Sequence, residues 1–514
     1  MHRKLSKSLL LSGLQCSRLL WFRVNDPLKI AEASEQQKTI FETGTEVGKS
    51  ACDLFPGGEK ISYEGSTHEE RVEKTKNLIN QETQYIYEAT FEFNDITVMV
   101  DILSRNEDGT YDINEVKSST YNPVKKKIKG VYIDDVAIQY YVLKGSGINI
   151  NKANLILLNK AYSLNRKLDI QELFISLDIT QKVVDIQSDI KNQSKKLKDD
   201  IKLNGKPDVD VGSKCKNPYE CGAIDYCWKI DKKIPEYSVF NIFTTKGDKA
   251  INHFHNGVVA ITDIPLNSEM TEKQRFNVSL EKDLNEDEFY VNELKIQRFL
   301  DSLQYPIHHL DFETFQHAIP QFECESPYEQ VPFQYSLHVE NKKGETQHKE
   351  YLHDNPSDPR EPLVKKLIKD IGPKGTVLAF NSSFEIMVLK NLRKSFPEFK
   401  HEINSIIDRM VDLAEPFKEK HIYSRKMEGS YSIKKVLPIF VPEFKHAYQD
   451  LNLIHNGGEA MNGFKKFVFM APSNEKEIFK QALVDYCKLD TKAMVLILKN
   501  VIRYGANQIK LSEI

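Results

Sequence analysis

Hydrophobic and polar positions change their period several times along this chain. Residues 8–54 carry apolar side chains at helical spacing and stop at the turn Phe55-Pro56-Gly57-Gly58. Between 85 and 117 the pattern turns strand-like, predicting strands over 87–93, 96–103 and 111–117, separated by the turn signals Asn94-Asp95 and Glu107-Asp108-Gly109. A helix over 135–143 and a strand over 155–158 follow, and the Lys- and Asp-rich residues 169–206 have the spacing of a solvated helix. Residues 235–300 are predicted to contain short strands, with a helix over 291–303, and a second run of alternating elements starts at Ile307. The pattern predicts an α/β protein with domains over 1–232 and 305–514 and a connecting region, 233–304, and it contains no internal repeat.

Composition narrows this reading. With 514 residues, 40% hydrophobic and 28% charged, the chain is globular and too long for one ordinary core. A formal net charge of −3 argues against wholesale coating of a polyanion, so any nucleic-acid partner must be met by local basic patches. Met1 to Phe22 holds basic residues and the short apolar run Leu9-Leu10-Leu11, but Gln15 before Cys16 is a poor cleavage position, so a secretory leader is not expected. No apolar run is long enough to span a bilayer, so no membrane partner is expected. Seven cysteines, an odd count in a chain that needs no staples, suggest a reducing, cytoplasmic setting with some thiols used for a metal or for catalysis.

The first candidate chemistry lies on the strand meander. Asp101 ends Ile96-Thr-Val-Met-Val, Glu115 and Lys117 share one face of the next strand, and Gln139 lies on the following helix. Two carboxylates can hold a divalent ion, and a lysine beside them can orient or help deprotonate water next to a phosphate. An acid-x-lysine pair alone is commonly a solvated ion pair. In this order, over roughly residues 8–230, the segment resembles the PD-(D/E)XK nuclease core of RecB-like enzymes. That resemblance implies that Asp101 and Glu115 bind metal, Lys117 assists the water and Gln139 supports the site. Gly48 stands where such nucleases often carry a histidine, with Glu46 as a candidate substitute, and Leu143 stands where a tyrosine is usual.

Cys215, Cys221 and Cys227 recur at six-residue steps in a turn-rich stretch, with Cys16 the candidate fourth thiol. Thiolate tetrads suit zinc or iron–sulfur clusters, and the wide gaps favour iron. One early cysteine and three late ones resemble the iron–sulfur branch of RecB-like nucleases, which includes a CRISPR-associated exonuclease family. The resemblance implies a 4Fe-4S cluster clasping the two ends of the domain, with zinc the alternative occupant. Cys52, Cys324 and Cys487 read as isolated structural thiols.

In the second half, alternation places Asp311 and Glu313 together on a buried strand, where two carboxylates repel unless a cation lies between them. Tyr486 and Asp490 fall one turn apart on the apolar stripe of a C-terminal helix. Between them, Asn381-Ser-Ser-Phe384-Glu385 follows a predicted strand, and Glu385 is either a ligand or the glutamate of a capping box with Ser382. The three motifs resemble those of DEDD-type 3′–5′ exonucleases, over about 305–505. That implies a ribonuclease-H-like fold in which Asp311, Glu313 and Asp490 bind two metals and Tyr486 orients water, with Glu385 where aspartate is usual. The lysines at 125, 126, 127 and 129 are either a backbone-binding loop or a solvated one; the stretch around Lys434 and Lys435 either holds phosphates or turns the chain; and His308 and His309 read as structural.

Both halves therefore lead to Mg²⁺- or Mn²⁺-dependent cleavage of phosphodiesters, with single-stranded DNA the expected substrate and exonuclease action the expected mode. The competing reading is a nucleic-acid-binding scaffold in which one or both centres are inactive.

Overall fold

The computed structural model describes residues 4–243 and 249–506, and the first three and last eight residues of the expected spans lie outside it. The chain is a mixed α/β protein that divides into two compact units, one formed by 1–259 with 318–328 and the other by 260–317 with 329–514. Residues 233–304, expected as a separate connector, are shared between the two.

In the first unit the helical start is three helices rather than one: α1 (Lys7–Gln15), α2 (Ser17–Asn25) and α3 (Glu35–Ala51). The breaks have local causes. Cys16 is extended, Pro27 opens a short 3₁₀ turn, and Ser34 with Gln37 forms a capping box that starts α3 afresh. After α4 (His68–Asn80) come the predicted strands, β1 (Tyr85–Phe93), β2 (Ile96–Arg105) and β3 (Tyr111–Tyr121), then α5 (Gly130–Gly145), β4 (Ile150–Asn159) and β5 (Phe174–Asp178). The five longer strands run in the order β1-β2-β3-β4-β5, antiparallel except for the parallel pair β3-β4, and two short strands, Leu5–Ser6 and Glu59–Lys60, pair parallel with β2 and β1 respectively. Helix α5 is apolar nearly all round because it is buried against this sheet, so Asp135 and Gln139 are among its buried residues. Residues 169–206 differ from the expected single helix: a short helix, β5, a second short helix and a longer one follow in turn. The 235–303 region is largely helical, with one short strand, Phe289–Val291, among the described residues.

In the second unit, β6 (Ile307–Phe315) pairs antiparallel with β7 (Val331–Glu340), which pairs antiparallel with β8 (Thr346–Leu352). On its other side β6 pairs parallel with β9 (Val377–Ala379), and β9 pairs parallel with β10 (Met410–Asp412). Leu310 and Phe312 point into a core with Leu363, Val364 and Leu367 of α6 (Arg360–Ile371) and Val388 and Leu389 of α7 (Ser383–Ser395). The opposite face of β6 and β7 is covered by the long α10, which follows α8 (Ile433–Phe440) and α9 (Gly457–Phe467) and spans Asn474–Ala506. Buried polar bonds set its register: Gln334 donates to the Leu483 carbonyl at 2.9 Å, and Thr491 Oγ1 lies 2.6 Å from Ser336 Oγ and 2.8 Å from His338 Nδ1. Ser336 is the cross-strand partner of Asp311, so this docking brings the Cys487–Asp490 turn over the acidic strand.

The two histidines of β6 are structural, as expected: His308 Nε2 lies 3.1 Å from the Lys374 carbonyl and His309 Nε2 3.2 Å from Glu340. Gly375, just before β9, has φ +88°, and a Cβ there would lie 1.9 Å from the Pro306 carbonyl oxygen. Gly375→Ala should therefore cost more than about 2 kcal/mol in urea unfolding, through both left-handed strain and the clash. Gly372→Ala, at φ +68° and ψ −174° but in open space, carries the backbone strain alone, about 1–3 kcal/mol, and should cost less than Gly375→Ala; equal losses would contradict this account.

Candidate functional site

Strand β6 delivers Asp311 and Glu313 to one face, and α10 delivers Asp490 and Cys487 one turn apart. One ligand atom each from Asp311, Glu313 and Cys487 lie mutually within 4.8 Å. Cys487 Sγ is 3.6 Å from Asp311 Oδ2, and Tyr448 donates its hydroxyl to Asp490 Oδ1 at 2.5 Å. Glu385 is 3% exposed, and its Oε2 has no hydrogen-bond partner. The capping-box alternative for Glu385 fails, because Ser382 is already helical (φ −48°, ψ −16°) and makes no side-chain cap. Its carboxyl accepts from its own backbone amide in the first turn of α7 and lies within electrostatic reach of Asp412 and Asp490.

Four acids packed this closely and mostly buried resist ionising together unless a cation lies among them. Burial, then the charges of Asp490, Glu313 and Glu385, push Asp311 well above the usual carboxylate range. Burial and Asp490 do the same to Glu313, partly offset by Lys434. Glu385 is pushed up to about 8 by burial and by Asp412 and Asp490. Asp490 rises only to about 6, because Tyr448, Lys434 and Tyr486 relieve the effect of burial. The Lys434 ammonium donates to the His455 carbonyl at 2.6 Å and lies 4.9 Å from the Tyr448 ring centroid and 5.2 Å from that of Tyr486. All five predicted residues, Asp311, Glu313, Glu385, Tyr486 and Asp490, thus converge.

Three contributors were not assigned from the sequence. Lys434 lay in a stretch already singled out, and Cys487 shares a helix face with Asp490 three residues on. Tyr448, in a turn-rich loop, carried no signal. The expectation that Cys487 is an isolated thiol is corrected, because the register of α10 aims it at Asp311 rather than into apolar packing.

In the first unit, strand register sets three acids in a row. Ile102 pairs with Asn114 and the β1 residues Tyr87 and Ala89 pair with Ile102 and Val100, so Glu88, Asp101 and Glu115 stand opposite one another on adjacent strands. All three line an open cleft of about 710 Å³ together with Lys7, Lys49, Lys60, Lys117, Phe41, Tyr87 and Gly48. Glu115 is the hub: its Oε1 accepts from Lys7 at 2.9 Å and Lys117 at 2.6 Å, and its Oε2 accepts from Gln139 at 2.8 Å. Asp135 completes the network, 2.9 Å from Lys7 and 2.6 Å from Lys117. Burial would raise Glu115, but the two ammonium groups reverse this and hold it below the usual range. Asp101 goes the other way, pushed up to about 8 by burial and the Glu115 charge, although it accepts from the Val116 amide at 2.8 Å. Gly48 faces the cleft with no atom within 4 Å of where a Cβ would stand, whereas Glu46 is exposed and does not line it, so Glu46 does not take the absent histidine's place. Lys7, Glu88 and Asp135 were missed, since none has a local motif.

The four thiols Cys16, Cys215, Cys221 and Cys227 line one pocket, whose walls combine apolar side chains such as Leu19, Val211 and Ile224 with the charged Arg18 and Asp210. All are unpaired thiols. Gln15 donates to the carbonyls of Lys214 at 2.7 Å and Tyr219 at 2.8 Å, fastening the end of α1 to the cysteine loop. Burial and the three neighbouring thiols push Cys221 up to about 11, while buried Arg18 moderates the rise at Cys227. Among the described residues, no three of these sulfurs lie within 4.8 Å of one another.

No helix among the described residues is long and apolar enough to cross a membrane. Residues 308–432 match a family described as a Domain of unknown function (DUF2779). The matched segment includes Asp311, Glu313 and Glu385 and stops before Lys434, Tyr448 and Asp490. Similar proteins include an uncharacterised protein of Ureaplasma parvum, 30% identical over 209 residues that make up 37% of this chain and 30% of that protein. Uncharacterised proteins of Mycoplasma genitalium and Mycoplasma pneumoniae are 28% and 25% identical, each over 37% of this chain and 31% of their own length. The chain thus spans under a third of the length of the curated relatives it matches, and no solved structure matches it.

Proposed function

We propose that this chain is a metal-dependent nuclease that hydrolyses phosphodiesters of single-stranded DNA, acting from an end. In this reading the second unit is a ribonuclease-H-like domain of the DEDD exonuclease type and the first is a PD-(D/E)XK domain of the RecB-like type. The observation that carries it is the convergence of Asp311, Glu313, Glu385 and Asp490, from a strand and two helices, into one buried cluster whose Glu385 oxygen has no partner. Hard carboxylate oxygens suit Mg²⁺ or Mn²⁺, and such a set is costly to bury for any purpose that leaves it unpaired. The antiparallel and parallel flanks of β6 support the fold assigned to this unit.

Asp311, Glu313 and Asp490 would hold the divalent ions, which when bound supply an activated water and neutralise charge on the phosphate. The chain's own groups do the rest. Tyr486 and Tyr448 present hydroxyls beside Asp490, where one can position water. Lys434, exposed at the rim, is placed to meet a phosphate oxygen. In the first unit, Lys49, Lys60, Phe41 and Tyr87 line the cleft, the mixture of cationic and aromatic side chains that a single strand needs.

The four-thiol pocket fits a 4Fe-4S cluster better than zinc. A zinc tetrahedron with about 2.3 Å bonds needs sulfurs about 3.8 Å apart, tighter than these thiols stand, whereas a cluster takes a wider set. One observation favours the scaffold reading for the first unit alone: Glu115 is already saturated by Lys7, Lys117 and Gln139.

With Mn²⁺ and end-labelled single strands, Asp311→Asn with Glu313→Gln should lower degradation more than about 100-fold. Lys117→Ala separately reports on the first unit, and wild-type protein inert on either polarity would reject the nuclease. Anaerobically purified protein should be brown and contain iron, with the colour lost in Cys221→Ser; a colourless protein containing zinc would reject the cluster. A third outcome concerns pH. Carboxyls held above their unfolded values bind protons in the native state, so their contribution to stability is complete below about pH 4 and is lost as pH rises through about 6 to 8. The melting temperature of metal-free protein should therefore fall by about 4 °C or more between pH 5 and 8. Mn²⁺ should reverse the fall and the Asp311→Asn, Glu313→Gln variant should flatten it; a profile unchanged by the two substitutions would contradict the assignment.

A further inference from the structure

The thiol of Cys487 is the member of the second centre that an all-oxygen Mg²⁺ site does not call for. It is wholly buried, yet it points at a carboxylate rather than into apolar packing: Sγ stands 3.6 Å from Asp311 Oδ2 and 3.9 Å from the Asp311 carbonyl. With one oxygen each of Asp311 and Glu313 it forms three ligand atoms within 4.8 Å of one another. A second, independent observation marks the same space as built for a ligand, since the Oε2 of Glu385, 3% exposed and in electrostatic contact with Asp311 and Asp490, has no hydrogen-bond partner. Thr491 pins the helix turn that carries Cys487 and Asp490 to Ser336 and His338, so the thiol is held in place by the fold.

We propose that Cys487 is a direct ligand of this centre, giving it a mixed oxygen–oxygen–sulfur donor set that selects thiophilic divalent cations, of the Zn²⁺ and Cd²⁺ class, over Mg²⁺. The proposal rests on the metal-centre reading above. Soft thiolate sulfur favours such cations, whereas Mg²⁺ keeps to oxygen in near-ideal octahedral geometry. On binding, the Cys487 S–H bond is replaced by a sulfur–metal bond and the proton leaves to solvent. Under the alternative, Cys487 only donates a hydrogen bond that orients Asp311, a role serine can fill.

The test uses the full chain carrying Asp101→Asn to remove a candidate ligand of the first unit, with bound Mn²⁺ followed by electron paramagnetic resonance while Cd²⁺ is added. The Cd²⁺ concentration that displaces half of the Mn²⁺ should rise more than about tenfold in Cys487→Ser and in Cys487→Ala, while Mn²⁺ affinity changes far less. Sulfur-to-cadmium charge-transfer absorbance should fall by the same step in both variants, over the constant background of the four-thiol pocket. Displacement unchanged in Cys487→Ser, with Asp311→Asn still abolishing Mn²⁺ binding, would overturn the thiol ligand and leave the metal centre standing. If Asp311→Asn too has no effect on Mn²⁺ binding, the metal centre itself falls and the thiol ligand with it.

Discussion

Mutual repulsion among buried carboxyls is the constraint around which the second unit is arranged. Glu313, Glu385 and Asp490 are buried and Asp311 half-buried, so water screens them poorly and their charges hinder one another's ionisation. A fold maintains such a cluster only where something cationic repays it or where protons neutralise it. Lys434 and the two tyrosines supply part of the compensation at Asp490 and Glu313, which is why Asp490 is the least displaced of the four. The first unit solves the same problem differently: two ammonium groups saturate Glu115, and the residual strain is left on Asp101.

The precision of the second centre comes from apolar and polar packing well away from it. Leu310 and Phe312 lock β6 into the core, which obliges Asp311 and Glu313 to face α10. The bonds of Gln334 and Ser336 to α10 then fix the helix lengthwise, so a slip by one residue would carry both Cys487 and Asp490 off the strand. The left-handed Asn381, whose amide donates to Asp412 at 2.8 Å, lets β9 pass at once into α7 and turns Glu385 inward. Hydrophobic periodicity and a few buried hydrogen bonds thus set the positions of groups that contribute little to stability themselves.

Much of this was legible in the sequence because it depends on local period. Alternation in β2, β3 and β6 placed Asp101, Glu115, Asp311 and Glu313 correctly on their strands, and helical spacing paired Tyr486 with Asp490. What was not legible depends on register between distant segments. Lys7 reaches Glu115 across 108 residues, Tyr448 reaches Asp490 across 42, and Cys487 reaches Asp311 across 176. Ser382 and Glu385 illustrate the intermediate case, since the capping-box pattern is present but the backbone of Ser382 is helical, which no local pattern discloses. The helix expected over 8–54 failed for the opposite reason: its breaks at Cys16 and Pro27 are local, but the apolar spacing runs through them.

Anomalous scattering from crystals equilibrated with Mn²⁺ at pH 8 tests the central claim most directly. The account predicts a Mn²⁺ peak enclosed by Asp311, Glu313 and Asp490, lost in Asp311→Asn. Fully ordered carboxyls hydrogen-bonded to one another, with no anomalous peak between them at saturating Mn²⁺, would contradict it.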